Sequence, residues 1–412
     1  MQIVTQAALG QFPAIFDRFE RLVGKRRWQR RARSIRDEIR GNRYLEEFLL
    51  RENRIVIALD TYSAHKERYG NLPGIQILDP REYEAVSFVT QCLTFIDSVE
   101  PPEADRFLGR VQGSFENPDD SRALAFELAM ATHLGRSGAA IHLPRDGGTY
   151  DWFCERKELP FEVECKSMSP DKGRPIHLRG GLAVFHLVTK ELGKILDRLI
   201  GGLLLRIRVP GRLPSAHSDQ KRIATLAKEA VLSAHDSTSP LASVSQQHFV
   251  ATDVPMSDRN ALRRFLHGRF AIDNQQAIAI QRGRGVLVMV VESDMPDDVL
   301  GETMEALRKA AREQLTGTAA GLLCAKLEGL TADELTELGT VKGGHPSALQ
   351  VRVNQLMSSS SLNHVVRVVF LADGDVTRTA TGACSRVGAS YAFWNPRSPL
   401  KDDARLRLFD EG

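Results

Sequence analysis

The sequence predicts an α/β fold in which a central αβββαβ core is flanked by an α-rich N-terminal region and a C-terminal α/β region. Apolar residues recur at helical spacing over most of positions 1–115, and short alternating runs follow a helical segment near position 121. The last third alternates between apolar runs and helical patterns. The core elements are predicted at 121–135, 139–143, 149–155, 160–168, 188–199 and 202–209. Later strands are predicted at 286–291, 321–327 and 365–371, and later helices at 299–315 and 331–338.

Interruptions in these patterns predict three domains. The stretch 99–120 contains two proline-bearing pairs and several acidic residues, which break the helical periodicity and indicate a linker. A second loop, with Pro and Ser, follows Gly211. The predicted domains are an α-rich basic region at 1–115, the core at 116–215 and an α/β region of unassigned role at 216–412.

The composition is that of an ordinary globular protein. Of the 412 residues, 42% are hydrophobic and 26% are charged, which excludes a disordered chain and a small disulfide-stabilised scaffold. The 55 Lys and Arg against 52 Asp and Glu give a net charge of only +3, so any basic surface must be local. Five cysteines lack metal-site or redox spacing, and no signal peptide or apolar run of about 18 residues is visible. These features predict a cytoplasmic protein without a membrane span.

The most informative stretch of the chain extends from Thr149 to Lys166. Two alternating segments flank a short polar turn, which predicts a β-hairpin. If the turn is centred on Lys157-Glu158, residues whose numbers sum to 315 face each other. Asp151 is then opposite Glu164, and Thr149 is opposite Lys166, so two carboxylates and an ammonium share one face of the hairpin.

This face predicts a centre for phosphodiester hydrolysis. Two carboxylates about 5 Å apart repel each other unless a hard divalent cation lies between them, and Mg²⁺ (or Mn²⁺) is the natural candidate. Such an ion lowers the pKa of a coordinated water, which can then attack a phosphodiester. The Lys166 ammonium would orient that water or offset the charge that develops on phosphorus. The alternative is a half-solvated sheet face on which these side chains contact only water.

Glu127 is a further candidate, on the helix that precedes the hairpin. It lies in the middle of an otherwise apolar helical stripe, where a carboxylate needs a partner. The stripe consists of Ala123, Leu124, Ala131 and Leu134. A surface acid is the alternative, but its place two elements before the hairpin favours a role at the metal.

Together these residues resemble the PD-(D/E)xK nuclease superfamily, the restriction-endonuclease-like fold, whose αβββαβ core carries a helix Glu, a strand Asp and a strand Glu-x-Lys. The matching residues are Glu127, Asp151 and Glu164-Cys165-Lys166. The resemblance implies an endonuclease that cleaves DNA with Mg²⁺ or Mn²⁺, in a role such as restriction, defence or repair. It also implies that Glu127, Asp151, Glu164 and the Cys165 carbonyl bind the metal and that Lys166 assists the nucleophile. It covers positions 121–210 only.

Acid-x-Lys tripeptides are common, and this chain contains two others, at 155–157 and 219–221. The first lies in the predicted turn and the second in a predicted polar loop, and neither has an opposed Asp. Tyr150 stands where the family pattern has Pro before the strand Asp. The match at 164–166 is therefore favoured by its context and not by the tripeptide itself.

Two groups of basic residues are candidate contacts to nucleic-acid phosphates. Seven of the twelve residues from Lys25 to Arg36 are Lys or Arg, and a helix there would be amphipathic. The two groups are Arg26, Arg30 and Arg33 on that helix, and Lys190, Lys194 and Arg198 on the helix predicted after the hairpin. Ordinary solvated helix faces are the alternative for both groups.

Other motifs do not point to a different chemistry. The sequence contains no Walker P-loop, dinucleotide-binding glycine motif, HExxH or GxSxG. The Arg-Gly-Arg-Gly stretch at 282–285 is interpreted as a turn, and the aromatics at 391–394 as a final strand that packs on the core. Two other functions stay open: a ribonuclease of the same fold, and a non-catalytic scaffold subunit that binds nucleic acid or protein. A protein partner or a homo-oligomer is compatible with either.

Overall fold

A computed structural model describes residues 12–70, 80–144, 148–251, 254–256, 259–270, 272, 276–341, 345–374, 376–378, 384–386 and 388–409. It is a mixed α/β protein with two mixed β-sheets and an N-terminal helical region, which confirms the predicted fold class at that level. The chain divides into two compact units. Unit 1 comprises Met1–Arg36, Leu50–Lys172 and Val299–Gly412, and unit 2 comprises Asp37–Leu49 and Gly173–Asp298.

The N-terminal region is helical because its apolar residues recur every three or four positions and form buried stripes. Phe12, Phe16 and Phe19 of the first helix are buried, as are Trp28 and Ala32 of the second. The helices are α1 (Phe12–Val23), α2 (Arg26–Gly41), α3 (Glu46–Glu52), α4 (Arg54–Tyr69), α5 (Pro80–Ile96), α6 (Pro101–Ser114) and α7 (Pro118–Arg136).

Helix α6 lies where the sequence indicated a linker. Pro101 and Pro102 occupy its first turn, where a missing backbone N–H breaks no helical hydrogen bond, and Phe107 and Val111 are buried. The predicted boundary near residue 115 does not coincide with a boundary between the two units, because α6, α7 and the following strands all belong to unit 1.

The predicted hairpin is present, with the predicted register. After β1 (Ala140–His142), strands β2 (Trp152–Arg156) and β3 (Leu159–Met168) pair antiparallel. Trp152 faces Val163, so facing residue numbers sum to 315 as expected. Lys157 and Glu158 form the two-residue turn with φ values of 50° and 62°, the positive values that a type I′ turn requires.

Most of unit 2 is one continuous segment with its own sheet. Its elements are α8 (Leu178–Asp197), β4 (Ile200–Val209), α9 (His217–Ser233), β5 (Ser237–Thr238), β6 (Ser243–Phe249), α10 (Arg259–Phe270), β7 (Gln276–Arg282) and β8 (Arg284–Ser293). The strand order is β5-β6-β4-β8-β7, in which β4 and β8 are parallel. Leu204, Leu266 and Val288 belong to a hydrophobic core between this sheet and α10.

The remaining segment completes unit 1. Its elements are α11 (Val299–Glu313), β9 (Ala320–Leu327), α12 (Ala332–Gly339), α13 (Ala348–Met357), β10 (Val365–Ala372), β11 (Val376–Arg378), β12 (Cys384–Arg386) and β13 (Ala389–Trp394). The sheet order is β1-β2-β3-β9-β10-β13, with β9 parallel to both β3 and β10. Leu307, Leu323 and Val368 are buried in the core between this sheet and helices α11 and α13.

The strand beside β3 is not the one the sequence predicted. Residues 202–209 were expected to complete the αβββαβ core, but β4 pairs with β6 and β8 in unit 2. Strand β9 pairs with β3 instead, with Leu323 beside Glu164. The order α7, β1, β2, β3, α11, β9 is therefore formed by two segments, with Gly173–Asp298 between them in sequence.

The predicted domain at 216–412 is divided as well, because its first part, to Asp298, belongs to unit 2 and the rest to unit 1.

Four cysteines are buried and form no disulfide, namely Cys92, Cys154, Cys165 and Cys324. The side chain of Cys384 lies outside the described part. Within the described ranges, no helix has both the length and the apolar character that crossing a bilayer demands.

Candidate active site

Four residues singled out in the sequence come together in unit 1. Glu127 is in the middle of α7, Asp151 immediately precedes β2, and Glu164 and Lys166 lie on β3. The Trp152 indole Nε1 donates a hydrogen bond of 3.0 Å to the Glu127 carbonyl oxygen, which holds the helix against the hairpin. The Asp151 backbone N–H donates to the Val163 carbonyl at 3.1 Å, although Val163 is paired with Trp152. The regular ladder therefore ends at Trp152, and the predicted pairing of Asp151 with Glu164 is not part of it.

The Asp151 carboxylate is fixed between the helix and β3. Its Oδ2 accepts a hydrogen bond of 2.7 Å from the Cys165 backbone N–H. Burial, followed by the nearby charges of Glu127 and Glu164, raises the pKa of Asp151 well above its ordinary value. The three carboxylates therefore act on one another electrostatically, although they come from separate elements.

Glu164 is almost fully buried, with 1% of its side chain exposed, and its Oε1 lies 2.6 Å from Lys166 Nζ. Burial raises the pKa of Glu164 to about 7, although the Lys166 ammonium lowers it. The second oxygen, Oε2, is buried and accepts no hydrogen bond from any described residue. Lys166 itself is 29% exposed, so its ammonium can be reached from solvent while it contacts Glu164.

Arg110 of α6 completes the cluster, and the sequence reasoning missed it. Its Nη2 lies 2.6 Å from Glu127 Oε2 and 3.8 Å from Asp151 Oδ1, while 40% of the side chain is exposed. It was missed because the stretch around it was interpreted as a linker. The signal was present, since Phe107 and Val111 are spaced as a buried helical stripe and place Arg110 at its border.

Glu162 lies on the same face of β3 as Glu164, but its carboxylate forms hydrogen bonds with Thr316. It accepts hydrogen bonds from the Thr316 backbone N–H at 2.8 Å and from the Thr316 hydroxyl. Thr316 lies in the connection between α11 and β9. The Glu162 carboxylate therefore links β3 to the connection that leads into the neighbouring strand.

The residues present fit a hard divalent cation. In the described part of the chain, no three His, Cys, Asp or Glu side chains are already arranged to hold a metal. Arg110 lies within 4 Å of Glu127 and Asp151, and Lys166 contacts Glu164. The three carboxylates nevertheless outnumber the two positively charged side chains, and Glu164 Oε2 accepts no hydrogen bond from any described residue. Carboxylate and carbonyl oxygens are the ligands that Mg²⁺ and Mn²⁺ prefer. The residues that would hold the ion are Glu127, Asp151, Glu164 and Cys165 through its carbonyl.

The two predicted groups of basic residues lie in different units of the structure. On α2, the side chains of Arg26, Arg30 and Arg33 are exposed, as the amphipathic pattern predicts. Lys190, Lys194 and Arg198 are also exposed, but they belong to unit 2 and not to the unit with the carboxylates. Gly193, with φ 20° and ψ −102°, interrupts the helical geometry of α8 between Lys190 and Lys194, so the regular helical spacing assumed for the stripe does not hold there.

The remaining motifs lie as follows. The acid-x-Lys copy at 155–157 spans the last two residues of β2 and the first residue of the turn, whereas the copy at 219–221 is in the first turns of α9 and not in a loop. The stretch 282–285 forms the turn between β7 and β8, and the aromatics at 391–394 lie on β13, as interpreted.

Comparisons of this chain with protein-family models, with curated proteins and with solved structures found no match. The chemistry of the site must therefore be judged from its own residues. A buried group of three carboxylates, with a lysine and an arginine that solvent can reach, can bind a divalent cation and present two positive charges to an anionic substrate.

Proposed function

We propose that this protein is a metal-dependent nuclease that hydrolyses phosphodiester bonds, with DNA as its substrate. The observation that carries the proposal is the convergence of Glu127, Asp151, Glu164 and Lys166 from a helix and a hairpin. Support also comes from the element order α7, β1, β2, β3, α11, β9, which follows the αβββαβ order of the superfamily that the motif resembles.

Each residue has a distinct part in this reaction. When bound, Mg²⁺ or Mn²⁺ supplies an activated water and neutralises charge on the scissile phosphate. The backbone of Cys165 orients Asp151 through its N–H, and the burial of Glu164 keeps that carboxylate away from competing water. The Lys166 ammonium donates hydrogen bonds to the attacking water or to a phosphate oxygen as negative charge develops there.

The preference for DNA comes from the resemblance alone, and a ribonuclease would use the same residues. A non-catalytic scaffold that binds nucleic acid is the second candidate. The observation that favours it is that Arg110 and Lys166 already neutralise two of the three carboxylates. Metal dependence separates the two functions, because a scaffold would bind nucleic acid equally well with and without the ion.

The test is cleavage by the purified full-length protein of supercoiled plasmid, linear duplex DNA and single-stranded RNA, with Mg²⁺, Mn²⁺ or EDTA. The variants are Asp151→Asn and Lys166→Ala. Matched controls come from the other acid-x-Lys copies, as Glu155→Gln in the hairpin and Lys221→Ala on α9. All four variants are first compared with the wild type for thermal unfolding.

We expect cleavage that requires the metal and falls by about 100-fold or more in both site variants, because each removes a group needed at the reacting phosphate. The controls should cleave as the wild type does. The polymer that is cut identifies the substrate class. Metal-independent binding without cleavage of any polymer would contradict the proposal and support the scaffold.

A further inference from the structure

Four strand ends meet at one end of the unit 2 sheet. The register places Ile200 of β4 beside Arg284 of β8, and Arg282 of β7 beside Gly285. Phe249, at the end of β6, pairs with Gly202. Because neighbouring strands are about 4.8 Å apart, the ends of β4, β8 and β7 together span about 10 Å.

The end of α8 adds cations to the same place. Lys194 is in the last turn of α8, Arg198 caps it, and β4 begins two residues later. The contact with the β7–β8 turn is close, since a Cβ at Gly283 would lie 3.0 Å from the Asp197 carbonyl oxygen. The end of α8 and the β7–β8 turn are far apart in the sequence, so no local pattern predicts this contact.

The side chains that form this surface are exposed and basic. We call it the basic edge, and its cations are Lys194, Arg198, Arg269, Arg282 and Arg284. None of the five forms an ion pair with a carboxylate in the part of the chain that the structure describes. Asp197 is an exposed carboxylate nearby, whereas Glu191, six residues earlier on α8, is 3.2 Å from Lys228 Nζ.

Apolar and aromatic groups lie among these cations. The Arg269 guanidinium is 5.7, 5.8 and 5.9 Å from the ring centroids of Phe249, Phe265 and Phe270, which are all partly exposed. Ile200 is 77% exposed and Val250, directly after β6, is 64% exposed. Exposed apolar groups of this kind are more often found at binding surfaces when they adjoin one another.

We propose that the basic edge binds single-stranded nucleic acid. Guanidinium and ammonium groups without carboxylate partners bind backbone phosphates, and this attraction requires no particular base sequence. Phenylalanine rings, the stacked Arg269 and the exposed Ile200 and Val250 offer apolar contacts to bases that are not paired. The proposal goes beyond hydrolysis, because the basic edge uses no residue of the candidate active site.

The test measures binding of the full-length protein in EDTA, so that metal-dependent cleavage cannot interfere. Fluorescence anisotropy measures binding to a labelled 30-nucleotide single strand and to the matching 30-base-pair duplex. Sedimentation measures binding to anionic phosphatidylserine vesicles. The variant is Arg282→Glu with Arg284→Glu. The matched control is Arg312→Glu with Lys401→Glu in unit 1, which changes the net charge equally and also alters exposed cations.

We expect the basic-edge variant to raise the Kd for the single strand at least about tenfold, and the control to change it less than threefold. The slope of log Kd against log salt should fall by about 1.4, which corresponds to two lost phosphate contacts on a single strand. Arg282→Gln with Arg284→Gln should give a smaller loss in the same direction. Unfolding temperatures of all variants confirm that the fold is retained.

Three results would overturn the proposal: equal losses in variant and control, tighter binding to the duplex than to the single strand, or binding to the vesicles alone. These outcomes are distinct from failure of the proposed function. Single-strand binding that depends on the basic edge, without cleavage of any polymer, would support this inference and reject the nuclease.

Discussion

Arg110 and Lys166 bring two positive charges to the three carboxylates of the candidate active site. Glu127 and Asp151 lie within 4 Å of the Arg110 guanidinium, and Glu164 contacts Lys166. Buried carboxylates cannot all ionise side by side without compensating cations. The protein's own cations therefore stabilise the carboxylates, and in the proposed nuclease a metal ion would replace part of that charge.

Arg110→Met should tighten metal binding. A unit charge and a divalent ion about 5 Å apart repel each other by about 1–2 kcal/mol even in water, so removal of the guanidinium should lower the Kd for Mn²⁺ about tenfold. Calorimetric titration at pH 8.5, above the pKa of about 7 of Glu164, limits competition from protons. Arg106→Met, also exposed on α6, is the control. Unchanged or weaker Mn²⁺ binding would show that Arg110 only supports the structure.

Stability without metal should fall as pH rises, and Glu164 should be one cause. Burial raises its pKa from 4.5 to about 7, so between these values the folded protein holds a proton that the unfolded chain has lost. The contribution of Glu164 to the free energy of unfolding is then greatest below pH 4.5. This contribution declines by about 3 kcal/mol as the pH rises through 7.

Urea unfolding of wild type and Glu164→Gln at a series of pH values in EDTA measures this contribution. The variant should lose about 3 kcal/mol less than the wild type between pH 4.5 and pH 8. Glu155→Gln, which alters an exposed carboxylate of the same hairpin, should follow the wild type. Parallel curves for wild type and Glu164→Gln would refute the prediction.

At the scale of elements, the hairpin fixes the position of the site. Its two-residue turn holds Lys157 and Glu158 at positive φ, a conformation that costs a residue with a Cβ about 1–2 kcal/mol. The paired strands nevertheless keep the predicted register from Trp152–Val163 to Arg156–Leu159, and Asp151 directly precedes them. The register therefore persists because both faces of β3 are buried, even though the turn residues are unfavourable.

Lys157→Asn with Glu158→Gly should stabilise the protein by about 1 kcal/mol, because Asn-Gly favours the positive φ values of a type I′ turn. Urea unfolding would show a higher midpoint with an unchanged slope. Any nuclease activity should be unaffected, since neither side chain belongs to the candidate active site. A lower midpoint would mean that these side chains make stabilising contacts that outweigh the backbone strain.

At the scale of the whole molecule, unit 1 is assembled from segments that are far apart in the chain. Strands β3 and β9 are neighbours although Gly173–Asp298 separates them in sequence. The entropy cost of closing such a loop grows only with the logarithm of its length. Gly173–Asp298 also has its own sheet and hydrophobic core, so its burial of apolar surface offsets the cost of ordering it.

The candidate active site could be predicted in part from the sequence because its main pieces are local. Glu127 is on a helix with a clear stripe, and alternation around a two-residue turn brought Asp151 and Glu164 to the same part of the hairpin. Such patterns reflect contacts between residues close in the chain. Arg110 was not predicted, because the prolines at the start of α6 were interpreted as the end of a helical region, although proline is also common in the first turn of a helix.

The sequence by itself determined the fold class, most element positions and the hairpin register, since each follows from local periodicity. Only the tertiary structure decided that β9 lies beside β3, because β4, β8, β9 and β10 are all apolar strands with no local feature that selects a partner. The basic edge likewise joins Arg198 to Arg282 and Arg284 through strand pairing. Pairing between distant strands depends on packing of the whole molecule, which no local pattern encodes.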